Sequence, residues 1–218
     1  MTLFEIVQGH SYAGSNFSQT IIERTDRDTP PQVARLRRRG ISLENGKERN
    51  MKAILSADLN WGIGRGGQLL QRVPEDMRFF RKMTTGKVVV MGRDTFESLP
   101  GREPLKDRIN IVLSKSADYD DDRLIICRSL EELFDELEKY DTDDIFVIGG
   151  ESVYTQLLPY CSDVYITRFE KVFEADRHFP NLDAMDNWVL VEESELHFYN
   201  DMGFRFLKYI NKSVRDYR

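Results

Sequence analysis

The chain is short of the residues that build metal centres and disulfide scaffolds. Among its 218 residues only Cys127 and Cys161 are cysteine, and only His10, His178 and His197 are histidine. Two distant cysteines make neither a disulfide framework nor a zinc knuckle, and three scattered histidines offer no ligand spacing, so no metal is expected. No apolar run approaches the ~18 residues of a membrane span, and the first residues lack the basic-then-apolar order of a signal peptide. An excess of positive charge is missing too. Lys and Arg total 31 against 37 Asp and Glu, a net charge of −6, which is the wrong sign for a general nucleic-acid binder. The expectation is a cytoplasmic protein with neither membrane nor nucleic acid as partner.

What is present is ample core material: 40% of the residues are hydrophobic and 31% charged, enough for one core of ordinary size. Composition shifts near residue 50. Residues 1–50 are rich in Gly, Ser, Thr and Asn, break at Thr29-Pro30-Pro31 and carry the basic run Arg35-Leu36-Arg37-Arg38-Arg39. Only 3–7 and 32–36 read as short elements. We expect this segment to be a disordered or loosely attached extension, or an artefact of start-site choice with Met51 as the true first residue. Glu5, Glu23, Asp26 and Asp28 argue against a transit peptide, and a charged run of this kind is usually just solvated.

From residue 51 to 218 apolar runs alternate with amphipathic ones. Strands are expected at 52–58, 87–91, 109–113, 123–127, 144–148, 163–169, 188–195 and 203–210, and helices at 75–83, 94–99, 130–139 and 152–158. Ser129 and Glu132 have capping-box spacing, followed by Leu130, Leu133, Phe134 and Leu137 at helical intervals. The alternation implies an α/β fold, a mostly parallel central sheet of about eight strands flanked by about four helices. The last two strands, flanking the turn residues 199–203, should close as an antiparallel hairpin.

Several stretches can carry chemistry. Gly62-Ile63-Gly64-Arg65-Gly66-Gly67 satisfies a dinucleotide-binding glycine pattern, but no helix can start within it, because Gln68 to Val73 intervene and Pro74 suits the first position of the next helix. The glycines therefore read as a flexible loop of about a dozen residues, with a lid as the functional reading and plain turn glycines as the alternative. On the following helix Asp76, Phe80 and Met83 share a face, and an acid on an apolar face calls for a ligand or a partner; the alternative from this segment alone is that Asp76 complements the helix dipole from the first turn, a role that Glu75 suits better. Three segments repeat one layout of strand, then small or polar residues, then a helix start or turn: Val88–Thr95, Ile111–Lys115 and Phe146–Ser152. Phosphates bind at such strand ends, and Arg93, Ser114 and Lys115 suit an additional phosphate, favouring NADPH over NADH.

Gly62-Ile63-Gly64, Pro74-Glu75-Asp76-Met77, Val90-Met91-Gly92-Arg93-Asp94-Thr95-Phe96-Glu97-Ser98-Leu99-Pro100, Val147-Ile148-Gly149-Gly150, Tyr165-Ile166-Thr167 and His178-Phe179-Pro180 follow one another in this order. In that order and spacing, residues 51 to about 210 resemble bacterial dihydrofolate reductases. The resemblance implies NADPH-dependent reduction of dihydrofolate by a monomer. It implies that Asp76 binds the pterin and promotes its protonation, that Thr167 holds Asp76 or its water, and that Leu69 tips a mobile loop over the nicotinamide. Ser56, Met77, Phe80, Leu99 and Leu105 would surround the substrate, and Arg108 would pair with its glutamate carboxylate. Arg93, Thr95, Ser114 and Lys115 would meet the adenosine and phosphates of the cofactor. Gly92, Gly149, Gly150, Ser152, Val153 and Tyr154 would line its other side, with a cis Gly149–Gly150 peptide, and Ile63, Gly64 and Ile148 would close around the nicotinamide.

Four positions depart from the family pattern. Gln71 replaces a usual aromatic, Ser56 a common alanine, and Asp94 a position often basic; Ser152 offers no charge where some relatives have arginine. Asp94, if it points inward, should weaken cofactor binding. The rival readings are the pyrimidine reductase of riboflavin synthesis, which should lack the acid at 76 and the match at Arg108, and a non-catalytic module of the same fold.

Overall fold

The computed structural model describes residues 49–217; the expectations for the basic run and for elements at 3–7 and 32–36 lie outside the described residues. In chain order the strands are β1 (Met51–Ala57), β2 (Gly62–Arg65), β3 (Gln68–Leu69), β4 (Val88–Gly92), β5 (Ile109–Leu113), β6 (Leu124–Cys127), β7 (Ile145–Gly149), β8 (Cys161–Phe169), β9 (Arg177–His178), β10 (Trp188–Glu193), β11 (His197–Tyr199) and β12 (Met202–Asn211). The helices are α1 (Pro74–Thr84), α2 (Arg93–Glu97), α3 (Leu130–Leu137) and α4 (Glu151–Leu157).

Strands rich in Val, Ile and Leu that are buried on both faces belong in the middle of a parallel sheet. Met51, Ala53, Ile54, Leu55 and Ala57 of β1 are all buried, and β1 lies between β7 and β8, parallel to both. The main sheet runs β10-β12-β8-β1-β7-β4-β5-β6, with β11 also on β12. Its pairs from β8 to β6 are parallel and those made by β12 antiparallel. The expected sheet of eight mostly parallel strands is therefore the observed one. The closing hairpin has an added part: the tight turn at Asn200-Asp201, both at positive φ, joins the short β11 to β12, while β10 pairs with the far half of the same strand.

Local chemistry sets the helix ends that matter for the site. Pro74 occupies the first turn of α1, where its missing N–H costs nothing. Ser129 Oγ accepts from Glu132 N at 3.1 Å, capping α3 as its spacing predicts. Glu132 Oε2 reaches back to the N–H of Arg128 at 2.7 Å, one residue beyond the cap.

The glycine stretch differs from the flexible loop expected. It folds into a hairpin of β2 and β3, extended by β9 into a three-stranded sheet. Gly66 and Gly67 make the two-residue turn with φ of 56° and 74°, a backbone that glycine adopts without strain and that matches hairpin twist. The root of this small sheet is held by Asp58, fully buried. Its carboxylate accepts from the N–H groups of Asn60, Gly62 and Phe173 at 2.7–2.8 Å.

Candidate active site

One cleft of about 1180 Å³ opens beyond the carboxyl ends of the parallel strands, where open α/β sheets place their ligands. The first turn of α1 puts Asp76 on its wall, and β8 brings Thr167 against it from the interior. Thr167, with no exposed surface, donates its hydroxyl to Asp76 Oδ1 at 2.6 Å. Burial pushes the Asp76 carboxyl up to about 6, and the Thr167 hydrogen bond opposes that rise. An acid poised there exchanges a proton near neutrality, as general acid–base chemistry needs. Ser56 pairs with Thr167 across the β1–β8 ladder and lines the cleft beside it.

The apolar walls are Met77 and Phe80 from α1 together with Leu99 and Leu105. Phe80 thus shares the cleft face with Asp76 as its spacing predicts. Met83 is not among the lining residues, and the buried partner on this helix is Phe79, packed against Phe206 with ring centroids 4.9 Å apart. From the hairpin side Ile63, Gly64 and Leu69 reach the cleft. The hairpin is tied down by Gly66 N–H on Asp176 Oδ2 at 3.0 Å and by an Arg65–Glu174 ion pair.

The other end collects strand-end residues. Gly92 ends β4 and Arg93 and Thr95 follow it; Ser114 and Lys115 follow β5; Ile148, Gly149, Gly150, Ser152, Val153 and Tyr154 surround the end of β7, and all line the cleft. The Gly149–Gly150 peptide is cis, as the resemblance implies. A Cβ on either glycine would sit 3.1 Å from Thr95 Oγ1, closer than an ordinary contact, and Gly149 also has a φ of 138°, a backbone that side chains rarely adopt. Tyr154, itself buried, donates to the Ile54 carbonyl at 2.9 Å.

Of the site residues named from sequence, Thr167 and Arg108 do not line the cleft: Thr167 is buried against Asp76, and Arg108 is set apart. Its guanidinium bonds Thr84 Oγ1 at 3.2 Å and the Lys106 carbonyl at 2.6 Å. Burial, then the neighbouring Arg81, lowers it from its ordinary value. Arg81 does line the cleft, and its place four residues after Met77 on the same helical face was the signal available for it. Arg72, Arg128, Arg177, Glu151 and Ser116 also line the cleft without having been singled out. Arg128 was legible in principle, because β6 ends in the same strand-then-polar layout as β4, β5 and β7. Of the four departures, Ser56, Asp94 and Ser152 line the cleft and Gln71 does not. Asp94 is largely exposed and paired with Arg93 at 3.4 Å.

Charge is distributed unevenly. Seven basic side chains line the cleft (Arg65, Arg72, Arg81, Arg93, Lys115, Arg128, Arg177) against three acidic ones (Asp76, Asp94, Glu151), in a chain of net charge −6. A low-dielectric cleft with that lining focuses a positive potential and draws in anions. Among the described residues no cluster of His, Cys, Asp and Glu could hold a metal, and no helix is long and apolar enough to cross a membrane.

A mostly parallel sheet with a strand-end cleft, one buried acid and a cationic rim defines an α/β protein whose cleft suits small anionic ligands and proton transfer. Family comparison makes the class specific. A family model described as dihydrofolate reductase matches residues 50–211. The chain is 38% identical over 162 residues to the dihydrofolate reductase of Bacillus subtilis, covering 73% of this chain and 94% of that protein. It is 39% identical over 145 residues to the enzyme of Haemophilus influenzae, 66% of this chain and 83% of that one. Among solved structures, the dihydrofolate reductase of Enterococcus faecalis complexed with NADP(H) and RAB-propyl superposes with a TM-score of 0.66 at 30% identity, covering 75% of this chain and 97% of that chain. The chain belongs to the dihydrofolate reductase family.

Proposed function

We propose that this chain is an NADPH-dependent dihydrofolate reductase, converting 7,8-dihydrofolate to 5,6,7,8-tetrahydrofolate, and that residues 51–218 are its catalytic domain. The observation that carries the reading is the Asp76–Thr167 pair. Asp76 is the only buried acid among the cleft-lining residues, hydrogen-bonded to one hydroxyl and flanked by apolar side chains. A pterin presents an amide and an amino N–H side by side, which one carboxylate can accept together. Met77, Phe80, Leu99 and Leu105 offer apolar faces to its rings, and Arg81, which lines the cleft, offers a cation to an anionic tail; Arg108 would have to leave Thr84 to join it.

The cofactor end fits NADPH on this chain's own donor set. Arg93, Lys115, Ser114 and Thr95 supply cations and hydroxyls for phosphates, and the glycine pair lets backbone approach closely. The bound cofactor would supply a hydride; the protein supplies orientation and a charge that favours protonation of the ring. Leu69, Ile63 and Ile148 exclude water from the reacting edge. With its carboxyl raised to about 6, Asp76 is mainly carboxylate at neutral pH; it accepts the pterin N–H groups and favours protonation of the ring, the proton itself coming from solvent. The riboflavin-type alternative has no use for an acid at this position. The chain is expected to act as a cytoplasmic monomer with no nucleic-acid partner.

The test is cofactor absorbance with purified protein. Dihydrofolate-dependent oxidation, faster with NADPH than with NADH, is expected. Reduction of a ribityl-pyrimidine but not of dihydrofolate would overturn the reading.

A further inference from the structure

Arg128 stands at the end of β6, one residue before the cap of α3, and its guanidinium works on backbone. Nη1 donates to the Ala117 carbonyl and lies 3.5 Å from the Lys115 carbonyl. Those carbonyls belong to the turn 114–117 that follows β5. The turn is otherwise held by its own first residue: Ser114 Oγ accepts from Ala117 N at 3.1 Å and from Ser116 N at 3.4 Å. Ser116 Oγ in turn accepts from Arg93 Nη1 at 3.1 Å. Arg93, Ser114, Lys115 and Ser116 thus meet at the ends of adjacent parallel strands, and Arg128 braces the segment carrying three of them.

The brace is itself anchored. The Arg128 N–H is held by Glu132 Oε2 at 2.7 Å, and Ser114 N–H bonds the Cys127 carbonyl at 2.9 Å. A four-residue turn without a ladder of its own keeps one shape only if its carbonyls are engaged. Left free, those oxygens would also set negative partial charge beside an incoming anion. A guanidinium across two carbonyls does both jobs with charge-assisted hydrogen bonds.

We propose that Arg128 is a positioning residue for the 2′-phosphate of NADPH. It acts through the 114–117 turn rather than on the phosphate, and so sets the preference for NADPH over NADH. This rests on the NADPH reading of the cleft.

The experiment is calorimetry on the full chain with two probes, adenosine 2′,5′-bisphosphate and adenosine 5′-monophosphate. Wild type should bind the bisphosphate at least about tenfold more tightly; equal binding would remove the NADPH reading itself, whatever Arg128 does. R128M should lose about tenfold of that ratio, with the bisphosphate losing far more than the about twofold that removing one cleft cation costs the monophosphate. In a background carrying S114A and K115A, R128M should add no more than about a twofold further loss, because a brace has no effect once its cargo is gone. The same fold-loss in both backgrounds would show direct contact with the phosphate and overturn the proposal, as would an unchanged ratio in R128M. If R128M does not fold, R128K carries the same cycle.

Discussion

At the inner end of the cleft one carboxyl, Asp76, is buried and bonded to one hydroxyl; around the rest of it stand seven cationic side chains, every one of them exposed. The two regions use charge in opposite ways. The interior group is taken from water, so its pKa and its energy respond strongly to a single neighbour. The exposed cations are screened by salt and share their task, so each contributes little while their sum steers anions toward the cleft. Chemistry therefore concentrates on one residue and binding spreads over many.

The comparison is broken most severely at Asp76. Asp76→Asn should lower turnover by about two to three orders of magnitude at neutral pH, partly recovered on acidification, in steady-state assays across pH. A flat and undiminished profile would return Asp76 to a structural role.

The second effect has the opposite sign. The carboxyl rises from 3.8 to about 6 on folding, so the folded chain binds this proton more tightly than the unfolded one between those values. Stability is then lost as pH rises through that window, and at pH 8 ionised Asp76 costs up to about 3 kcal/mol. The same Asp76→Asn protein should melt several degrees higher than wild type at pH 8, with the gap closing by pH 4. A lower melting point at pH 8 would mean that the charge is stabilised by a partner.

Smaller changes belong to the exposed end. Asp94→Asn removes an acid that engages Arg93 at 3.4 Å, and should tighten NADPH binding by about two- to fivefold in fluorescence titration at low salt, less at high salt. Smallest of all is truncation. A protein beginning at Met51 should keep its activity and melting temperature, losing little beyond the 3.7 Å contact of Arg49 with Glu138. A large loss in either would show that residues before 51 pack on the domain.

The large sheet was legible because β1, β4, β5 and β7 are short runs of β-branched and apolar residues, buried on both sides, and such runs announce themselves without reference to partners. Asp76 was legible for a related reason: helical spacing sets it beside Phe80. The small sheet was not. Its strands are two to four residues long, half of β2 is glycine, and its third strand lies far along the chain, so nothing local records the pairing. Side-chain direction was equally hidden. Arg108 turns toward Thr84, and Met83 falls outside the cleft that its helical neighbours line; both depend on what packs at the end of α1. Arg128 shows a further limit, because its partners are carbonyls, and carbonyls have no letter in the sequence.

The position of β1 in the middle of the main sheet has a consequence for how the chain is made. Its ladder partners are Phe146 and Val147 on one side and residues 161–168 on the other, so about a hundred residues must leave the ribosome before either edge of β1 can be paired. Until then an almost wholly apolar strand is exposed, and the contacts that bury it are among the most distant in sequence that the fold makes. Such topology folds slowly and only after synthesis is nearly complete. The nascent chain is the state most open to aggregation, and chaperones have their largest opportunity there.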